Sequence, residues 1–124
     1  QKTNFSRRNK DNMKKDALVF VRHILESIEK IEKYSANISK DEFLKDDELQ
    51  DAIVRRLEII GEAAKNISSD FKNKYPKILW KEISGMRDKL THQYFGIDLE
   101  IVWNVLEKDL PNLKKIIQEI LFVN

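Results

Sequence analysis

An all-α fold, an up-down bundle of four to five helices, is what three features of this chain predict. Apolar residues recur at three- and four-residue intervals along two long segments and again at the C-terminal end. Only three glycines and two prolines punctuate 124 residues, too few for a chain of many short strands. Cysteine is absent, so no disulfide framework stands in for a hydrophobic core.

The first apolar stripe runs through Leu18, Val21, Ile24, Leu25, Ile28, Ile31 and Tyr34 and predicts a helix over about Lys14 to Asn37. Ser39 with Glu42 forms a capping-box pattern for a short helical turn. The second stripe starts near Asp46 or Asp47 and passes through Leu49, Ile53, Leu57, Ile60, Ala64 and Ile67. Gly61, Ala63 and Ala64 are small enough for another helix to approach closely there. Ser68 or Ser69 caps a short helix around Phe71, and Pro76 ends it. A helix or helix pair then carries Trp80, Ile83, Met86 and Leu90 as far as His92, with Gly96 as its stop. Asp98 caps the next helix, which Asp109 and Pro111 restart or kink. Leu113, Ile116, Ile117, Ile120 and Leu121 complete the last stripe.

Residues 1–12 are polar and without periodicity, and read as a disordered or extraneous basic arm ahead of a helical domain at 13–124. This arm holds four basic residues and one acid, so the remainder carries a net charge of −1 within an overall +2. A nearly neutral core does not announce nucleic-acid binding by charge alone. The charge is patchy, however. Asp41 to Asp51 holds six acids against Lys45, whereas Lys65 to Lys89 holds seven bases against three acids. Without cysteine, thiolate-bound zinc and thiol nucleophiles are excluded. The longest wholly apolar run, Ala17 to Val21, is far too short to span a bilayer. No secretory leader is visible, and the expected location is the cytoplasm.

The segment Gly85-Met86-Arg87-Asp88-Lys89-Leu90-Thr91-His92-Gln93-Tyr94 carries the chemistry. Arg87 offers a permanent forked cation suited to phosphate, and His92 exchanges a proton near neutral pH. On a continuous helix Asp88 and His92 share one face, where the carboxylate would orient the imidazole. Arg87 and Tyr94 would stand two turns apart if the helix reached Tyr94. Such a set suits metal-free RNA cleavage, in which the 2′-hydroxyl is itself the nucleophile. His92 would then move the proton, and Arg87 would stabilise charge on phosphorus. One such histidine per chain favours a symmetric dimer that supplies two. Taken alone, the same residues also fit an ordinary solvated helix face.

The motif of arginine, four residues, histidine, one residue, tyrosine resembles that of HepT toxins in the HEPN superfamily of helical nucleases. The likeness extends to Arg56-Leu57-Glu58-Ile59-Ile60-Gly61-Glu62-Ala63-Ala64, to Trp80 through Met86, and to Val102-Trp103 with Asp109-Leu110-Pro111. It implies a HEPN-like helical homodimer that cleaves RNA without metal or other cofactor. Arg87 and His92 would be catalytic, with Asp88 as the polar residue that follows the arginine. It also implies an antitoxin partner, a nucleotidyltransferase of the MNT type, that adenylylates Tyr94. The alternative is a catalytically idle subunit that binds a nucleotidyltransferase and presents substrate to it.

Other side chains call for plainer roles. Glu58 and Glu62 share a helix face and are expected in buried or interfacial ion pairs, with Arg55 and Arg56 as candidate partners, rather than in a di-metal site. His23 lies beside the first stripe and is expected to be structural or exposed. Trp80 and Trp103 are expected in the core or at an interface.

Overall fold

Helix α1 (Lys2–Tyr34) buries Ala17, Leu18, Val21, Ile24, Ile28 and Ile31 in one stripe. The computed structural model describes the backbone of residues 2–92 and 96–124 and the side chains of 11–91 and 96–124. Helix α1 takes in segment 2–12, where neither glycine nor proline interrupts the i to i+4 ladder. At the far end the chain turns through Asn37, whose φ of 61° is one that asparagine tolerates.

Helix α2 (Lys40–Leu44) has the expected capping box. The Glu42 amide donates to Ser39 Oγ at 3.1 Å, and the Ser39 amide donates to Glu42 Oε1 at 3.2 Å. Helix α3 (Asp47–Lys65) starts at Asp46, whose carboxylate accepts from the Leu49 amide at 3.0 Å. It buries Ile53, Leu57, Ile60, Gly61, Ala63 and Ala64, and its longest contact is with α1. Helix α4 (Ser69–Asn73) is capped by Ser68 and buries Phe71. Trp80 Nε1 donates to the carbonyls of Tyr75 and Lys72, at 3.1 and 3.2 Å, which pins the end of α4 to the indole.

Helices α5 (Trp80–Ser84) and α6 (Met86–Leu90) meet at Gly85. Beyond them, two-residue strands β1 (Thr91–His92) and β2 (Gly96–Ile97) pair antiparallel, with Thr91 opposite Ile97 and His92 opposite Gly96. Gly96 therefore does not stop a helix. Its φ of 76° opens a strand, a conformation glycine adopts without strain. Helix α7 (Leu99–Asn104) runs through a π-helical turn at Val105–Asp109 into α8 (Leu110–Val123). Pro111 accounts for that turn. It has no N–H for the Glu107 carbonyl, and the Leu110 amide reaches five residues back to Val105.

Every one of the eight α-helices among the described residues contributes to one core, so the fold class is all-α as expected. The segment count exceeds the four to five expected because Gly85 and the π turn divide two longer helices and because α2 and α4, five residues each, count as helices of their own. Phe43 packs on Trp103 with ring centroids 5.4 Å apart, and Trp80 is 9% exposed, so both tryptophans serve the core.

Candidate active site

The small residues of α3 decide where the arginine of the motif stands. A Cβ at Gly61 would lie 3.0 Å from the Ile83 carbonyl oxygen and 3.1 Å from Met86 Cβ. The α5–α6 corner thus rests directly on α3, seated by buried Ile83, Met86 and Leu90. Arg87, Asp88 and Lys89 on the remaining faces of α6 are exposed. Lys89 turns toward the π segment and pairs with Asp109 at 3.2 Å. Arg87 turns the other way and lines an open groove of roughly 470 Å³ between α1, α3 and the corner.

Helix α6 stops at Leu90, two residues short of His92. The Leu90 carbonyl accepts the Asp98 amide at 2.7 Å, and Thr91 is extended, with its Oγ1 donating to the Arg87 carbonyl at 2.6 Å. Asp88 and His92 therefore do not share a helix face, which removes the four-residue spacing as a reason for the carboxylate to orient the imidazole. The two-turn relation of Arg87 to Tyr94 falls with it. The His92 backbone is described, but its side chain lies outside the described residues, as does all of Tyr94.

The groove also gathers side chains that sequence reasoning did not connect with Arg87. His23 of α1 faces it, exposed, beside Phe20, whose ring meets the imidazole edge-on with centroids 6.1 Å apart. Arg55, Glu58, Glu62 and Lys65 of α3 line the opposite wall. The one available signal was their three- and four-residue spacing at the edge of the α3 stripe. Ion pairing of Glu58 or Glu62 with Arg55 or Arg56 is not found among the described residues. Glu62 instead approaches Lys65 at 4.0 Å, as the exposed face of α3 leaves its side chains to water. No group of His, Asp or Glu side chains among the described residues is arranged to hold a metal ion. No helix among them is long and apolar enough to cross a membrane.

Comparison with known proteins bears on the family. The family model described as Ribonuclease HepT-like matches residues 24–120, which include Arg87, His92 and Tyr94. The chain is 47% identical over 108 residues to a "Putative RNase" of Methanocaldococcus jannaschii, covering 87% of this chain and 89% of that protein. It is 46% identical over 102 residues to a "Probable ribonuclease HepT" of Thermococcus cleftensis, covering 82% and 93%. A third relative, named "Gamma-glutamylcyclotransferase and putative RNase" in M. jannaschii, is 50% identical over 109 residues. This chain spans about half of that relative, 49% of its length, against 88% of its own. No solved structure gives a significant match. A match across most of the chain, joined to an all-helical core bearing the motif, settles the family: the chain belongs to the ribonuclease HepT-like family.

Proposed function

We propose that the chain is the ribonuclease toxin of a toxin–antitoxin pair, cutting cytoplasmic RNA without a metal ion at a site shared by two copies. The observation that carries this reading is Arg87, exposed on α6 at the edge of an open groove, with His92 five residues further along the chain. Relatives named for ribonuclease activity support the same chemistry.

In this mechanism a phosphodiester sits against the Arg87 guanidinium, whose fork matches two phosphate oxygens. His92 takes the proton of the 2′-hydroxyl, that oxygen attacks the adjacent phosphorus, and the bond from phosphorus to the 5′-oxygen breaks, the departing oxygen taking up a proton to leave as a 5′-hydroxyl. The negative charge gathered on phosphorus is stabilised by Arg87, a cation that needs no proton to remain charged. Asp88 adds a polar group beside Arg87 on α6 but no longer has a helical route to His92. The partner is a nucleotidyltransferase of the MNT type, which silences the site by adenylylating Tyr94.

The test is RNA incubated with purified protein in excess chelator, beside His92→Ala. Cleavage should persist and leave 2′,3′-cyclic phosphate ends, and His92→Ala should abolish it with the helical signal unchanged. A metal requirement, or full activity in the variant, would refute the assignment.

A further inference from the structure

Between Lys65 and Lys89 the fold separates bases from acids. Asp70 lines a hollow between α1 and α4, and Glu82 lines another between the α5–α6 corner and α8. Lys72 and Lys81 line a third, a cleft of roughly 450 Å³ between α4 and α5. Ser69, Asn73 and Ser84 share this cleft, and among the described residues no carboxylate does. Neither lysine pairs with an acid among the described residues. Ser84 also lines the Arg87 groove, so cleft and groove meet at that residue. Lys81 and Ser84 are three apart on α5 and therefore neighbours on one face.

The lining selects the kind of partner. Protein interfaces centre on apolar or aromatic anchors and are poor in lysine. Here the apolar wall is sealed, with Ile78 3% exposed and Trp80 9%. The indole N–H is already taken by the Tyr75 and Lys72 carbonyls, so this ring is not free to stack on a base. What the cleft presents is ammonium, hydroxyl and amide, the groups that contact nucleic-acid phosphates.

We propose that the α4–α5 cleft binds the phosphate backbone of the RNA strand beside the cut, with Lys72 and Lys81 as its phosphate contacts. This rests on the ribonuclease reading above, which supplies the identity of the strand. From the phosphate held by Arg87 the strand passes Ser84 and enters the cleft. Each of two copies brings its own cleft, so the shared site is unchanged. Lysines that meet phosphates and no base edges read no sequence. Their contribution is affinity for strands long enough to reach them, and the bond-breaking step is left to the motif.

The probe is one single-stranded RNA in two forms, fully 2′-O-methylated so that it cannot be cut, and with free 2′-hydroxyls. Fluorescence anisotropy on the methylated form gives Kd across a salt series, whose slope reports the number of phosphate contacts. Lys72→Gln/Lys81→Gln should flatten the slope of log Kd against log salt by about 1.4, at about 0.7 for each lost contact. Lys81→Gln alone alters an exposed side chain and should flatten it by about 0.7, which keeps the test open should the double variant misfold. Lys30→Gln/Lys33→Gln removes the same charge from exposed positions of α1 and should keep the wild-type slope. On the cleavable form the loss in kcat/KM of the cleft variants should lie in KM. Equal slopes in every protein, or the same flattening in the α1 control, would overturn the cleft assignment. Wild type without affinity for the methylated strand would also overturn it and leave the lysines to a protein partner. The expected slopes without cleavage of the free-hydroxyl form would instead remove the ribonuclease reading and keep the cleft as a nucleic-acid site.

Discussion

At Gly61 a single hydrogen in place of a side chain sets the distance between α3 and the corner that carries Arg87. The nearest atom to an added methyl is the Ile83 carbonyl oxygen, at 3.0 Å, and backbone cannot swing aside as a flexible side chain would. Gly61→Ala should therefore destabilise the protein by about 1–3 kcal/mol in denaturant unfolding and lower RNA cleavage by displacing Arg87. Unchanged stability would show that the corner is not seated on α3. Gly61 and Arg87 were both legible in the sequence, one as a site of close approach and the other within the motif. Their dependence on each other was not, because residues 26 apart meet only through the fold. Tyr94 carries the other prediction at this scale. An adenylyl group on its hydroxyl adds a phosphodiester charge able to pair with Arg87 and a nucleoside able to occupy space that RNA needs. Co-expression with the proposed nucleotidyltransferase partner should raise the intact mass by whole AMP units in wild type and leave Tyr94→Phe unchanged. Equal addition to both would remove Tyr94 from the regulation.

Among the elements, those closed by their own residues were legible and those closed from a distance were not. The stripes of α1 and α3 and the caps at Ser39, Asp46, Ser68 and Asp98 depend on neighbours within four positions, which a pattern displays. The end of α6 depends on the Asp98 amide, eight residues beyond the Leu90 carbonyl it satisfies, with no glycine or proline at the break. Continuing the helix to His92 was the natural local reading, and a tertiary hydrogen bond overrode it. The π turn is similar, since Pro111 signalled a disturbance but not that the ladder would widen by one residue. Asp98 thus works twice. Its amide closes α6, and its carboxylate accepts from the Glu100 and Ile101 amides at 3.0 and 3.2 Å to open α7. Asp98→Ala should cost about 0.5–2 kcal/mol, seen as a lower thermal midpoint and faster amide exchange at Glu100 and Ile101. Asp98→Asn should recover most of that loss, because the amide oxygen still caps. Equal instability in both variants would assign the effect to charge rather than to capping.

For the whole molecule the open question is whether one chain holds a complete site. Arg87 lines a groove of a single chain, whereas the proposed site would bring two motifs into one cleft of a dimer. The arrangements differ in what two broken chains do together. Arg87→Ala and His92→Ala should each be inactive. If the cleft is shared, a mixed dimer still offers one intact Arg87 and one intact His92 to the same phosphate. Mixing the two variants, with unfolding and refolding to exchange subunits, should then restore part of the wild-type rate. If each chain's site is self-contained, every arginine present sits beside a missing histidine and the mixture stays inactive. Sedimentation at micromolar protein supplies the companion observation. Restored activity requires a dimer, and a strict monomer should show none. A dimer whose mixture remains inactive would mean that association serves something other than sharing Arg87 and His92. The cutting would then belong to a site within each chain, built on its own Arg87.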